Sequence, residues 1–248
     1  MTPEVRAIIT ALRRAKTDAA RARIVERIRA LAVPLDAVEA ARVAAGSWGT
    51  AAKLLGSPPG EIVERRQGRI ADALEAGAKV SDIETRLAAL SVLPEQLAEA
   101  VTLASEGEAV LDVVRTTDAV GIWLSERDAC LECIDMNGAI TMDGSPFEGA
   151  GLSGEPVTSE RPPLHPHCRC EIRAYGPEDA KRVAEAARRE GRREILRGES
   201  AYASLGQRLA AASYLLDSGG ANSMPKSVVE RAAIAVRDGM FPDRSAVK

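Results

Sequence analysis

All four cysteines and both histidines of this 248-residue chain fall between positions 130 and 170. Cys130 and Cys133 stand in ACLEC (129–133), and His165, His167, Cys168 and Cys170 stand in RPPLHPHCRC (161–170). A CxxC presents two thiolates to one side of a metal, and a second pair of soft donors further along the chain closes a tetrahedron of the structural-zinc kind. Spacing narrows the choice in the second half. His165 precedes Pro166, which holds its backbone extended, and the turn that follows can carry Cys168 back to the same point. Cys170 lies two positions on, hence on the same side of an extended stretch. Cys130, Cys133, His165 and Cys168 are the preferred ligand set. Cys170 is the chief substitute, His167 a weaker candidate, and a site of four cysteines the main alternative.

The same residues admit other chemistry. Free cysteines are often small buried hydrophobes, and a CxxC can be a redox centre, although the βαβ context of thioredoxin-like motifs is missing. A catalytic zinc needs an open position and a nearby general base, as in HExxH, and the sequence has no such pairing. The runner-up is a metal-dependent nuclease or DNA-processing factor of HNH-like type, which also combines CxxC pairs with a histidine pair. Its second knuckle and its spaced catalytic His and Asn are not found. With no complete acid–base or nucleophile set, no catalytic residue is assigned and the chain is read as a non-enzyme. Glu132, Asp135 and Glu171, close to the cysteines in sequence, read as solvated surface charges. GSPFEGAGLSGE (144–155) lacks the Lys-Ser/Thr ending of a phosphate loop.

Composition sets the surroundings. A formal charge of -3 and a pI near 5.7 argue against a protein that coats nucleic acid. The basic residues Arg6, Arg13, Arg14, Lys16, Arg21, Arg23, Arg27 and Arg29 read most simply as a solvated face; a patch touching nucleic acid or an acidic partner is the sharper reading. Aromatics make up only 3% of the chain, so the helices should be thin and closely packed, with Trp48 and Trp123 as core anchors. Neither a signal peptide nor an apolar run of about 18 residues is found, so no membrane partner is expected. In the cytosol structural disulfides are rare, and a close cysteine set is more often metal-binding or catalytic.

The elements that must position the donors follow from periodicity. Residues 1–118 read as successive helices, opened by Thr2 and Pro3. A second helix runs from about Leu35 to Leu55 with a weak middle at Gly46 and Gly49. A third spans about 61–76, a fourth is capped by Ser81 and Glu84, and a fifth is opened by Pro94. Residues 119–176 form the Cys/His knuckle. There Ser125 reads as the N-cap of a short helix carrying Cys130 and Cys133, Asn137-Gly138 ends it, and residues 142–164 show no period, so something should pin that loop. CRCEIRAY reads as a strand. Residues 177–248 return to helix. The first of these helices has an acidic start and a basic end, with its arginines (Arg188, Arg189, Arg192, Arg193, Arg197) paired to Glu190 and Glu194. Two more helices follow, at about 205–216 and 226–238. The expected fold is mainly α, a helical protein with a small zinc-stapled knuckle containing short β elements.

Trp123, ERDACLEC (126–133), Asn137-Gly138, the Gly/Pro-rich loop and PPLHPHCRC (162–170) together resemble the Mu F-like minor head proteins of tailed bacteriophages, also called head-morphogenesis proteins. The resemblance covers about residues 120–173. GRREILRG (191–198) and MPKSVVERAAIAVRDGMFP (224–242) are similar to actinobacterial phage and prophage members. The resemblance implies a low-copy virion component of the capsid interior or portal vertex, assembled in the host cytoplasm and acting in head morphogenesis, DNA packaging or ejection. It also implies contacts with the portal protein, the major capsid protein and packaged DNA, and no catalytic activity. Cys170 is the position least fixed in the family pattern.

Overall fold

In the computed structural model, which describes residues 1–44, 55–165, 168–200 and 202–241, the first helix starts where its residue types require. Thr2 Oγ1 accepts the Val5 N–H at 3.3 Å, and Pro3, which has no N–H to leave unpaired, opens α1 (Pro3–Arg14). The molecule is mainly helical with a few short strands. It divides into two units, Met1–Ser105 and Glu106–Lys248. No single helix among the described residues is long and apolar enough to cross a membrane.

The first unit holds α1, α2 (Asp18–Arg29), α3 (Asp36–Ala44), α4 (Pro59–Glu75), α5 (Val80–Ser91) and the start of α6 (Leu93–Thr116). Its core joins Ile8 and Leu12 of α1, Ile28 of α2, Ile70 of α4 and Leu87 and Leu90 of α5. The capping box expected from Ser81 and Glu84 does not form. α5 begins at Val80 with Lys79 as N-cap, because the Glu84 carboxylate is held by Arg13 through both oxygens, at 2.6 and 2.8 Å. The expected weak middle at Gly46 and Gly49, with Trp48, lies outside the described residues.

The second unit continues α6 and adds β1 (Val120–Leu124), α7 (Leu131–Met136), β2 (Ile140–Thr141), β3 (Phe147–Glu148), β4 (Thr158–Ser159), β5 (Glu171–Tyr175), α8 (Pro177–Arg197), α9 (Leu205–Asp217) and α10 (Lys226–Asp238). β2, β1 and β5 form an antiparallel sheet in that order, and β3 pairs with β4. Alternation along β1 separates two cores. Val120 and Ile122 pack with Ala180 and Ala184 of α8, while Trp123 packs with Phe147, Leu111 and the buried cysteines. The Trp123 and Phe147 rings meet edge to face at 5.5 Å. The strand read over CRCEIRAY is shorter than its pattern suggests. Pairing with β1 starts at Glu171, so Cys168 and Cys170 lead into the strand rather than belong to it.

The helices from residue 177 onward share this unit with the knuckle. Ile134 of α7 and Leu152 of the long loop pack with Ile195, Leu196, Ala212 and Leu215. α8 has the expected polarity, with Glu178 and Asp179 in its first turn, Arg197 in its last, and left-handed Gly198 after it. Arg193 pairs with Glu190 at 2.9 Å. Glu194 departs from the pairing expected of it: it is buried, and its Oε2 has no hydrogen-bond partner.

Candidate metal centre

The short helix that carries the first two thiols is capped by one of them. Ser125 is not its N-cap; its N–H is taken by Asn137 Oδ1 at 3.1 Å. The chain turns through residues 126–129, with Asp128 in the left-handed region at φ 59°, and α7 starts at Leu131 with Cys130 as N-cap. Cys130 Sγ accepts the Cys133 N–H at 3.4 Å. This places the two sulfurs together on one side of the first helical turn.

The second half returns to the same point. The Cys168 N–H donates to the His165 carbonyl at 3.0 Å; Pro166 and His167 lie outside the described residues. His165 Nε2 lies 2.9 Å from Cys130 Sγ and 3.1 Å from Cys133 Sγ. Cys133 Sγ lies 3.6 Å from Cys168 Sγ. The donor atoms form two trios, Cys130/Cys133/His165 and Cys133/Cys168/Cys170, and within each all lie within 4.8 Å of one another. All five residues named from the sequence therefore converge, and Cys133 is common to both trios.

These residues fit a metal ion. With bonds of about 2.3 Å to sulfur and 2.0 Å to nitrogen, a tetrahedral ion sets its ligands roughly 3.5 to 3.8 Å apart; the Cys133 and Cys168 sulfurs already stand at that separation, His165 Nε2 lies closer to both of its sulfurs, and Cys168 belongs to a different trio from Cys130 and His165. The five donors border a cavity of about 20 Å³, room for one ion or one water. Cys133, Cys168 and Cys170 are buried, while Cys130 and His165 are half-buried. The indole N–H of Trp123 is buried without a hydrogen-bond partner. It lies beside the Cys170 sulfur.

The sulfurs differ in acidity. A hydrogen bond with Cys133, helped by backbone N–H and by His165, pushes the Cys130 thiol down to about 6 against the effect of burial. Hydrogen bonds with Cys133 and then Cys170 hold Cys168 well below the ordinary thiol range. Cys133 is pushed up by its interactions with Cys130 first, then with Cys168 and Cys170, and by burial. At Cys170 the bond with Cys133 pulls down, but the bond with Cys168 and burial outweigh it and raise the thiol to about 12. A divalent cation would replace the remaining protons.

Asp135, read from the sequence as a solvated charge, is buried at 1% exposure and ties the long loop to α7. Its Oδ1 accepts the Leu152 N–H at 2.6 Å and its Oδ2 the Val157 N–H at 2.9 Å, while its own carbonyl accepts the Ala150 N–H at 3.0 Å. The sequence calls for something to pin that loop, and one carboxylate does much of it. Gly149 leaves the space: a Cβ there would lie 2.1 Å from Asp135 Oδ2. Asn137, also buried, joins Ser125 to the Ala187 carbonyl of α8 through its side-chain amide, with Nδ2 donating at 3.0 Å. The one signal in the sequence for these roles is the pair Asp135 and Asn137, polar residues directly behind the CxxC.

Comparison with protein-family models, curated proteins and solved structures gives no match to this chain.

Proposed function

We propose that the chain is a non-enzymatic structural protein whose knuckle is closed by one zinc ion held by Cys130, Cys133, His165 and Cys168. The observation that carries this reading is the convergence of the two trios on Cys133 around a one-ion cavity. Three thiolates and an imidazole saturate a tetrahedral zinc and leave no position for substrate, which is the chemistry of a staple. Such a site contributes about 10 to 16 kcal/mol of apparent binding energy, enough to hold a loop of residues 142–164 in register. Cys170 then sits behind the ion, its thiol next to Cys168 and the Trp123 indole.

The resemblance of Trp123, ACLEC and PPLHPHCRC to Mu F-like minor head proteins supports a role as a phage minor head protein. It would act in head morphogenesis, associate with the portal and major capsid proteins, and contact packaged DNA. Elemental analysis is expected to give one zinc per chain, and Cys130→Ser or Cys168→Ser to abolish it; stoichiometric zinc in both variants would overturn the ligand assignment. For the role, the protein is expected to co-purify with portal protein and to be found by mass spectrometry in purified virions. Absence from both overturns it, and Mg²⁺-dependent cleavage of plasmid DNA by the wild type would replace it with the nuclease reading.

A further inference from the structure

Three arginines of the first unit share one cleft and have no counter-charge in it. Arg66 and Arg69, one turn apart on α4, and Arg86 on α5 line an open cleft of about 290 Å³ with Thr85, Ile70 and Ala89. All three are exposed, and among the described residues none of the three guanidinium groups makes an ion pair or hydrogen bond. The carboxylates placed to answer them are engaged elsewhere. Asp72, three residues after Arg69, meets Arg29 of α2 at 3.2 Å. Glu84, two before Arg86, is held by Arg13 of α1. Asp82, the i,i+4 neighbour of Arg86, accepts from Ser81 Oγ at 3.3 Å. Like charges gathered on one space repel, and an anion would supply the compensation that the fold withholds.

We propose that this cleft binds phosphodiester groups of a nucleic-acid backbone, with duplex DNA as the partner. Guanidinium forks match phosphate oxygens bidentately. No aromatic or amide side chain lines the cleft to read a base, so the contact is to backbone and independent of sequence. An open site of exposed arginines holds a small anion poorly against water, whereas a polyanion presents adjacent phosphates and releases counterions. The apolar lining, Ile70 and Ala89 alone, is too slight to seat the side chains of an acidic peptide. The balance of charge agrees: residues 1–105 carry 15 Lys and Arg against 13 Asp and Glu, and residues 106–248 carry 18 against 23.

The inference deepens the DNA contact of the proposed function and rests on it; portal co-purification and DNA binding fail independently. The test uses the full chain with its metal and a fluorescent mixed-sequence duplex of about 24 base pairs, with anisotropy read between about 50 and 200 mM NaCl. Replacing Arg66, Arg69 and Arg86 together by Gln is expected to weaken binding at least ~10-fold and to lower the slope of log K against log salt by roughly 2 to 3, at ~0.9 per phosphate contact. A control of equal charge, Lys181→Gln with Arg189→Gln and Lys226→Gln, is expected to bind within about twofold of wild type. The triple Arg→Lys variant guards against misfolding. It keeps the charge and should keep the salt slope while losing affinity. Wild-type binding by the Gln variant, or equal losses in the cleft and control variants, overturns the proposal. So does displacement of the duplex by millimolar inorganic phosphate, which would mark a free-anion site, or by poly-glutamate at equal charge, which would mark a surface for acidic protein.

Discussion

Cys133 occupies a place that no other donor has, because its sulfur belongs to both trios and lies between His165 Nε2 and Cys168 Sγ. Cys133→Ala is therefore expected to release the metal entirely, and Cys170→Ala to retain it, measured as zinc per chain. The opposite result for Cys170 would move the site to four cysteines. A second residue-scale prediction concerns Glu194, at 3% exposure with one oxygen unpartnered. Burial first, then Glu190, Glu199 and Asp128, push its carboxyl up to about 7 from an ordinary 4.5. A carboxyl with the higher pKa in the fold holds its proton more tightly there than in the unfolded chain. Its contribution is thus fully present below the unfolded value and is lost as pH rises through the folded one, by about 3 kcal/mol at most. Glu194→Gln stays neutral throughout. Its melting temperature should gain on the wild type as pH rises from about 4.5 to about 8, and a gap that stays constant across that range would show that Glu194 ionises in the fold at no cost.

At the scale of elements, the knuckle depends on how closely α7 approaches α8. Gly138, at φ 83°, has no room for a side chain, since a Cβ would lie 2.4 Å from the Ala184 carbonyl oxygen. Gly191 of α8 lies against the Ile134 carbonyl, where a Cβ would sit at 3.1 Å. Gly138→Ala combines left-handed strain with a backbone clash and is expected to cost about 2 to 4 kcal/mol in urea unfolding; a cost below about 1 kcal/mol would mean that α7 can shift off α8. Asp135→Asn keeps one acceptor and deprives either the Leu152 or the Val157 N–H of its partner. It should cost about 1 to 3 kcal/mol and speed limited proteolysis between residues 142 and 157. Local signals were legible in the sequence: the Thr2-Pro3 start, the polarity of α8, the span of α10, and the convergence of the five donors, whose types announce their chemistry. What was not legible depends on partners far along the chain. Glu84 leaves its capping box for an arginine 71 positions away, and Asp135 is buried by N–H groups 17 and 22 positions further on. Ser125 is not the cap because α7 starts only at Leu131, where Cys130 takes that position with its own sulfur. The sharing of Cys133 between trios likewise needs the turn geometry that spacing alone does not supply.

At the scale of the whole molecule, the two units rest on different foundations. The first packs buried aliphatic residues of α1 to α6 and contains none of the donors. In the second, three of the nine buried residues in the core around Trp123 are cysteines, so that core is built in part from candidate ligands. Small sulfur side chains bury little apolar area, and the polar donors bring desolvation costs that a bound ion would offset. Metal loss should therefore act on one unit only. Scanning calorimetry of the zinc-loaded chain is expected to show two transitions, of which a strong chelator lowers one and leaves the other in place. Trp123, fully buried beside Cys170, should shift its emission to longer wavelength in step with the sensitive transition, while most helical circular dichroism persists. Two transitions falling together would show that the units unfold as one cooperative body. If neither moved, the clasp would be ornamental to stability, and the loop would owe its order to Asp135 and the packing of Leu152 alone.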